Sequence, residues 1–288
     1  MPMSEFAPAK INLTLEILGR RPDGYHELRS LVVFAKDVGD RLELEPGHGL
    51  SSAMVGEFAA GIAGTNLVDK AASVVLAAVP DLNLGRLTLE KMLPVASGLG
   101  GGSADAAAAL RLLRDSFPQT ASLDFLAIAR QLGADVPVCL RSRAAVMAGI
   151  GERVEETALP AGLCAVLANP LIEVPSNKTA QVFARLAAPP VAENQPSEAP
   201  PEFSSPADVI SYASSRANGL EAPARALFPI IGDVLMALVQ LRECRLARLS
   251  GAGPTCFALF ENEDAAAQGA ERLHTHHPSW WIRWTRLS

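Results

Sequence analysis

Between Pro94 and Asp105 the chain reads Pro-Val-Ala-Ser-Gly-Leu-Gly-Gly-Gly-Ser-Ala-Asp, with four glycines in the five positions 98–102, set between a strand pattern and an alanine-rich helix pattern. No other feature constrains the fold as much. Glycine admits left-handed backbone and the close approach of other atoms. A helix start adds free amides and the positive end of the helix dipole. The segment therefore predicts an anion cradle at a strand-to-helix junction. It is not a Walker loop, because Gly-Lys-Ser/Thr is absent, and the dinucleotide fingerprint fails because the third position after Gly100 is Ser103. The plain alternative is a turn that closes a strand onto a helix, and so dense a run of glycine ahead of a helix argues against it.

The flanking patterns give a mixed α and β chain. From Ala9 to Ile17 polar and apolar residues alternate, the period of a strand with one buried face, so Lys10 and Asn12 point the same way. Pro22-Asp23-Gly24 signals a turn, and strands are expected at His26 to Phe34, Arg41 to Glu45, Arg86 to Leu93 and Ala144 to Ile150. Thr65 or Asn66 is placed to cap a helix running through Val75, and further helices are expected at Ser103 to Arg114 and at Leu123 to Leu132, ending at Gly133. Later, Ala222 to Leu241 and Asp264 to His274 read as helices, Ser250 to Phe260 as a turn into a strand, and Trp280 to Arg286 as the closing strand. Two α/β lobes result, with a boundary near Gly151. The segment 187–206, AAPPVAENQPSEAPPEFSSP, holds six prolines and three acids and no base, and reads as a solvated loop.

Composition removes several classes. Apolar residues make up 49% of the 288, which excludes a disordered chain, and a net charge of -6 disfavours nucleic acid as a partner. The longest uncharged run, Thr157 to Ile172, is broken by Pro160 and Pro170, so no membrane helix is expected. The start, MPMSEFAPAK, has neither the basic residues nor the apolar stretch of a secretion signal, and a cytoplasmic protein is expected. Cys139, Cys164, Cys244 and Cys256 are scattered and read as reduced thiols. His274, His276 and His277 lack partners at ligand spacing and read as surface residues, so no metal is expected to be held by the protein.

The stretch PVASGLGGGSADAAA resembles the PxxxGLGGGSS loop of the galactose, homoserine, mevalonate and phosphomevalonate (GHMP) kinase superfamily, which binds ATP without a Walker motif. The opening APAKINLTLEILGRRPDGYHEL, with GADVPVCL and LSGAGPTCFALF, carries the resemblance from Ala7 to Phe260, and Asp-Gly-Tyr-His narrows it to the branch acting on a cytidine diphosphate compound. The resemblance implies an α+β, two-domain GHMP kinase fold. An amino-terminal α/β domain like a ribosomal-protein fold (1–155) would carry the ATP loop and catalytic residues. A ferredoxin-like carboxyl-terminal domain (156–288) would follow, with ATP and substrate in the cleft between the two. The implied reaction is ATP-dependent phosphorylation of the 2-hydroxyl of 4-diphosphocytidyl-2-C-methyl-D-erythritol in non-mevalonate isoprenoid precursor biosynthesis. Mg2+ would accompany ATP, and the protein would be a monomer or weak dimer. A kinase of the mevalonate or homoserine type, or a catalytically silent nucleotide-binding protein, stays open beside it.

Phosphorylating an alcohol needs its proton removed and charge on the transferred group stabilised. By resemblance Asp135 is the general base and Lys10 stands beside it. The apolar neighbours of Asp135 would favour such a base, and its bland alternative is a helix cap after Gly133. For Lys10 the alternative is a solvated strand lysine. The resemblance assigns ATP to Pro94, Val95, Ala96, Ser97, Gly98, Leu99, Gly100, Gly101, Gly102, Ser103 and Ala104, with Asn66 lining the adenine pocket. It assigns substrate to Asn12, Tyr25, His26, Thr179 and Phe183, and places Ser250-Gly251-Ala252-Gly253 on the substrate side. An aromatic ring on a loop can stack on a nucleobase, or Tyr25 can fold over its own hairpin. Phe183 is the second ring of that sandwich or a core residue. The family reads VSTxxVF where this chain has VPSNKTAQVF, so either two residues are inserted or Ser176 takes the serine's place.

Overall fold

The computed structural model describes residues 3–61, 66–192 and 198–288. In chain order its strands are β1 (Met3–Asn12), β2 (Glu16–Arg20), β3 (His26–Glu45), β4 (Leu50–Val55), β5 (Gly85–Glu90), β6 (Ala145–Gly149), β7 (Arg153–Glu156), β8 (Cys164–Asn169), β9 (Leu246–Leu249), β10 (Cys256–Phe260) and β11 (Trp281–Arg286). The helices are α1 (Leu67–Ala78), α2 (Gly101–Ser116), α3 (Phe125–Leu132), α4 (Val136–Arg141), α5 (Lys178–Ala184), α6 (Pro206–Ser214), α7 (Glu221–Leu227), α8 (Ile230–Val239) and α9 (Glu263–His276). The chain packs as two units, neither of them one continuous stretch: Met1–Ala9, Val38–Val95 and Gly100–Ser142 form the first, and Lys10–Asp37, Ala96–Leu99 and Arg143–Ser288 the second.

In the first unit β4 and β5 run parallel and α1 crosses between them, as a parallel pair requires. The second half of β3 pairs antiparallel with β5, Leu42 opposite Leu89 and Leu44 opposite Leu87, and these four leucines are buried while Arg41, Glu43 and Glu45 face out. Helix α2 packs on α1, α3 and α4, and its buried face is mainly alanine, which lets neighbouring helices come close. Arg111 fastens α2 in place, donating to Glu5 (2.7 Å), the Phe6 carbonyl (2.8 Å) and the Cys139 carbonyl (2.8 Å) at the end of α4.

The second unit holds the first half of β3, flanked by β2 and by β6 with β7, all antiparallel. It also holds a four-stranded antiparallel sheet in the order β11-β8-β10-β9. Numbered within that sheet the order is 4-1-3-2 with helices after the first and third strands, the split βαβ arrangement of a ferredoxin-like domain. Strands β8 and β10 are buried on both faces, which is why CAVLAN and CFALF show almost no polar alternation. Phe257 and Phe260 are fully buried there, each contributing about 1.5–3 kcal/mol of transfer free energy.

Four expectations change. The alternating stretch from Ala9 to Ile17 is not one half-buried strand: β1 ends at Asn12, β2 starts at Glu16, and every residue from Ala7 to Leu15 is buried. Between them the chain turns aside, the Leu13 amide bonding the Leu31 carbonyl (2.8 Å) and the Leu15 amide the Ala217 carbonyl (3.0 Å). The strands read at His26 to Phe34 and Arg41 to Glu45 are one strand of 20 residues. The helix read at Ala222 to Leu241 is two, because Pro229 has no amide to continue the first. Finally, the described residues of the proline-rich segment before Pro206, which opens α6, form no helix or long strand, yet they are tied down. The Arg20 amide donates to the Pro189 carbonyl (2.7 Å), Thr157 Oγ1 to the Pro201 carbonyl (2.5 Å), and Glu198 pairs with Arg29 and Arg216. Thr65 and residues 193–197 lie outside the described residues.

Candidate active site

The glycine-rich run is a shaped piece of backbone. In the second unit Ala96 (φ 53°) and Gly98 (φ 86°) are left-handed, and a Cβ on Gly98 would stand 2.4 Å from the Ser250 carbonyl oxygen, so only glycine fits. Each carbonyl of this short piece has a donor. Lys178 Nζ bonds Ala96 O (2.8 Å), the Thr255 amide bonds Ser97 O (3.0 Å), Ser250 Oγ bonds Gly98 O (2.9 Å) and the Lys10 amide bonds Leu99 O (2.8 Å). In the first unit Gly100 (φ 64°) is the N-cap of α2 and offers no side-chain cap. The helix begins at Gly101, two residues before the sequence suggests, so Gly101, Gly102, Ser103 and Ala104 form its first turn. An uncapped start to a 16-residue helix is suited to an anion. Pro94 is buried and Val95 exposed just before the run. Asn66 caps α1, its Oδ1 accepting from the Asp69 amide (2.8 Å), so half of its carboxamide is committed to the helix.

Below the first turn of α2 lies a cluster that the sequence reading overlooks. Lys91 Nζ donates to Asp40 and to Asp105 (2.8 Å), all three side chains being buried. Asp40 Oδ1 also accepts from the amides of Met92 (2.6 Å) and Leu93 (2.9 Å), where the chain leaves β5 for the glycine run. A Cβ on Gly101 would stand 3.4 Å from Lys91 Nζ. Burial opposes the Lys91 ammonium, but Asp105 and Asp40 outweigh it and hold its pKa above the ordinary value. Burial, opposed by Lys91 and reinforced by Asp40, pushes the Asp105 carboxyl up to about 8. Strand parity carried a signal for this cluster. Asp40 falls in register with inward-facing Val38, Leu42 and Leu44, and Lys91 with inward-facing Leu87, Leu89 and Leu93.

Asp135, also in the first unit, is the N-cap residue of α4, but its side chain makes no capping bond, so the helix-cap alternative does not account for it. Its position is set from both sides, by Pro137 in the first turn of α4 and by the hold of Arg111 on the Cys139 carbonyl.

In the second unit Lys10 is only 3% exposed, which removes the solvated-lysine alternative. Asn12 gives its Nδ2 to Ser30 Oγ (2.7 Å) and its amide to Ser250 Oγ (3.3 Å). A Cβ on Gly251 (φ 55°) would meet both Asn12 Oδ1 (3.4 Å) and Gly98 O (3.3 Å), so β1, the glycine run and the Ser250–Gly253 turn converge there. Asn218 Nδ2 fixes that turn through Leu249 O (2.9 Å) and Gly251 O (2.8 Å). The Pro22-Asp23-Gly24 turn is locked by the Gly24 amide on Arg21 O (3.0 Å) and by the Tyr25 amide on Asp23 Oδ1 (3.1 Å). It leaves Tyr25 61% exposed, not folded on its hairpin. His26 opens β3 and its ring lies 5.1 Å from that of Phe183, tilted by 35°. Burial, then the charge of Arg20, lowers the His26 imidazole below its ordinary pKa. Phe183 is half-buried and also packs against the core under the four-stranded sheet, so the core reading describes one side of the ring while the other meets His26. Thr179, exposed, lies four residues before Phe183 on the same face of α5. Residues 178–184 form one continuous helix that carries Lys178, Thr179 and Phe183, and Ser176 lies just before it. Among the described residues, no group of three His, Cys, Asp or Glu could hold a metal ion, and His277 stacks on Trp280 (3.9 Å).

Residues 66–143 match the model of the GHMP kinases N terminal domain and residues 206–279 that of the GHMP kinases C terminal. Together with the fold and the uncapped glycine-rich helix start, they define the class, the GHMP kinases. A protein of Rhodopseudomonas palustris (strain BisB5) named 4-diphosphocytidyl-2-C-methyl-D-erythritol kinase is 46% identical, over 99% of this chain and 99% of its own length. One of the same name from Methylorubrum extorquens is 48% identical, over 98% of each. A crystal structure of 4-(cytidine 5'-diphospho)-2C-methyl-D-erythritol kinase superposes with a TM-score of 0.77 at 36% identity, covering 99% of both chains. A homoserine kinase from Cytophaga hutchinsonii shares the fold alone, with a TM-score of 0.69 at 18% identity. The chain belongs to the 4-diphosphocytidyl-2-C-methyl-D-erythritol kinase family, and it is an ATP-dependent small-molecule kinase.

Proposed function

We propose that the chain transfers the γ-phosphoryl group of ATP to the 2-hydroxyl of 4-diphosphocytidyl-2-C-methyl-D-erythritol, giving the 2-phosphate and ADP, in non-mevalonate isoprenoid precursor synthesis. The observation that carries the choice of acceptor is the locked Asp-Gly turn, which holds Tyr25 out in solvent one residue before the His26 and Phe183 ring pair. An aromatic plane held out on a fixed turn is free to stack on a flat partner, and a pyrimidine is such a partner. In this reading Tyr25 and Phe183 take the two faces of the cytosine, His26 addresses its edge, and Thr179 and Asn12 contact the rest of the substrate.

Asp135 accepts the hydroxyl proton as the oxygen attacks phosphorus. Lys10 orients that carboxylate and offsets the charge developing on the oxygen. The backbone of Pro94 to Ala104 receives the phosphates of ATP, and Asn66 lines the base pocket. Mg2+ carried by ATP would screen the phosphate charges. Among the described residues no helix is long and apolar enough to cross a membrane. The reading places the enzyme in the cytoplasm, as a monomer or weak dimer. The test is a coupled ADP-release assay with the cytidine substrate beside mevalonate and homoserine. Turnover with the cytidine compound alone is expected, and turnover with either of the others in its place would refute the proposal.

A further inference from the structure

Lys178 is a buried cation that the proposed reaction does not use. It opens α5, is only 3% exposed, and spends its ammonium on two main-chain oxygens, those of Ala96 and Gly253. Burial lowers its pKa to about 8, with no charged neighbour entering as a cause. A buried lysine without a carboxylate is expensive, and a folded protein carries one when the ammonium does something that a neutral side chain does not.

The four carbonyl bonds of Ala96 to Leu99 show what that is. A peptide unit is planar, and its N–H points opposite to its C=O. Fixing the Ala96 carbonyl therefore aims the Ser97 amide the other way, and fixing those of Ser97, Gly98 and Leu99 does the same for the amides of Gly98, Leu99 and Gly100. Anchoring each oxygen turns the N–H of the same peptide unit away from its anchor, and it commits the acceptors that would otherwise repel a phosphate. Of the four anchors two are backbone amides and one is a hydroxyl. Lys178 supplies the charged one, at the upstream end, where left-handed Ala96 has a Cβ and so needs outside support to keep that conformation. Its second bond, to Gly253, joins the same anchor to the Ser250–Gly253 turn.

We propose that Lys178 is a positioning residue for the nucleotide: it pins the Ala96 carbonyl to the Ser250–Gly253 turn and so pre-sets the amides of the glycine run for a polyphosphate. The inference rests on the ATP-loop assignment made above, not on the identity of the acceptor. The test uses the full-length protein, with ADP and ATP binding measured by calorimetry without any acceptor, the cytidine substrate titrated separately, and the melting temperature followed throughout. Lys178→Met is expected to weaken nucleotide binding about tenfold or more, the usual worth of a charge-assisted hydrogen bond, and to change affinity for the cytidine compound less than threefold. Lys178→Gln keeps a neutral donor within reach of Ala96 O, and it should show the same bias against nucleotide to a smaller extent. Should Lys178→Met be poorly folded, this second variant still decides: equal losses for both ligands, or losses that follow the melting temperature alone, overturn the proposal. Unchanged nucleotide affinity in a folded Lys178→Met protein overturns it as well. A parent protein that binds ATP but does not turn over the cytidine compound would instead refute the proposed reaction and leave this inference standing.

Discussion

Two carboxyls share Lys91, and their surroundings are unequal. Asp40 accepts two backbone amides besides the ammonium, whereas Asp105 Oδ1 is buried without a hydrogen-bond partner. Burial, opposed by Lys91 and reinforced by Asp40, pushes the Asp105 carboxyl up to about 8, so it keeps its proton at pH 7. Keeping that proton at pH 7, against an ordinary value of 3.8, costs the folded state about 4 kcal/mol relative to the unfolded chain. The folded-state pKa is the higher one, so this cost is absent below 3.8, where both states hold the proton, and it grows as the pH climbs until it is complete near 8. Asp105→Asn removes the titration and keeps an acceptor for Lys91, but it leaves an amide NH2 where Oδ1 was, at a cost of about 1–3 kcal/mol. The variant should therefore be about 1–3 kcal/mol more stable than the parent at pH 7 and lose that advantage near pH 4. Asp40→Asn, which sets an amide against the ammonium, should cost about 3 kcal/mol. Urea unfolding of parent and variants at several pH values between 4 and 8 measures both. If the difference between Asp105→Asn and the parent does not change across that range, Asp105 is ionised in the native protein and the reasoning fails.

Replacing Asp135 by Asn is expected to lower turnover by about two to four orders of magnitude with nucleotide affinity retained, and near-normal turnover in a folded variant would remove it as the base. Lys10→Ala should also slow turnover, and the double variant should lose less than the product of the two effects, since both act on one proton transfer. Tyr25→Ala should weaken the cytidine substrate about tenfold to a hundredfold at an unchanged melting temperature, because the ring is exposed. Phe183→Ala should lower affinity and melting temperature together, because that ring meets both His26 and the core; a change in only one would assign the residue to that role. Glu198→Gln, which cuts the ion pairs to Arg29 and Arg216, should cost less than about 1 kcal/mol. It should nonetheless speed protease cutting between 187 and 206, and equal cutting rates would show that the pairs do not hold the segment.

The sequence displayed its local grammar well and its long-range contacts poorly. Asn66 as a cap, Gly133 at the end of α3 and the Asp-Gly turn before Tyr25 each follow from side-chain and backbone preferences acting over a few residues. The ferredoxin-like order came from the resemblance and the paired motifs, since no local rule puts β8 beside β11. Alternation misled at β1, where polar Lys10, Asn12 and Thr14 are as buried as their apolar neighbours, because other parts of the chain supply their partners. The same alternation, applied strictly, would have exposed the Lys91 cluster, whose Asp40 and Lys91 sit at inward positions of their strands. The single break expected between Phe34 and Arg41 does not occur, because a charged Lys36-Asp37 pair is tolerated where β3 is locally exposed. The extent of the proline-rich segment was legible in its composition. Its anchorage was not, because it depends on Arg20, Arg29 and Thr157, which lie far away in the sequence.

The bond from the Lys10 amide to the Leu99 carbonyl makes the root of that lysine and the glycine run one stiff lever. A shift of the run would carry with it the chain that bears Lys10 and, two residues on, Asn12, because both ends of the bond are buried. If the run holds a phosphate of the donor and Lys10 and Asn12 face the acceptor, as proposed, the bond passes grip on one to the other, and a nucleotide lacking that phosphate should leave those two residues slack.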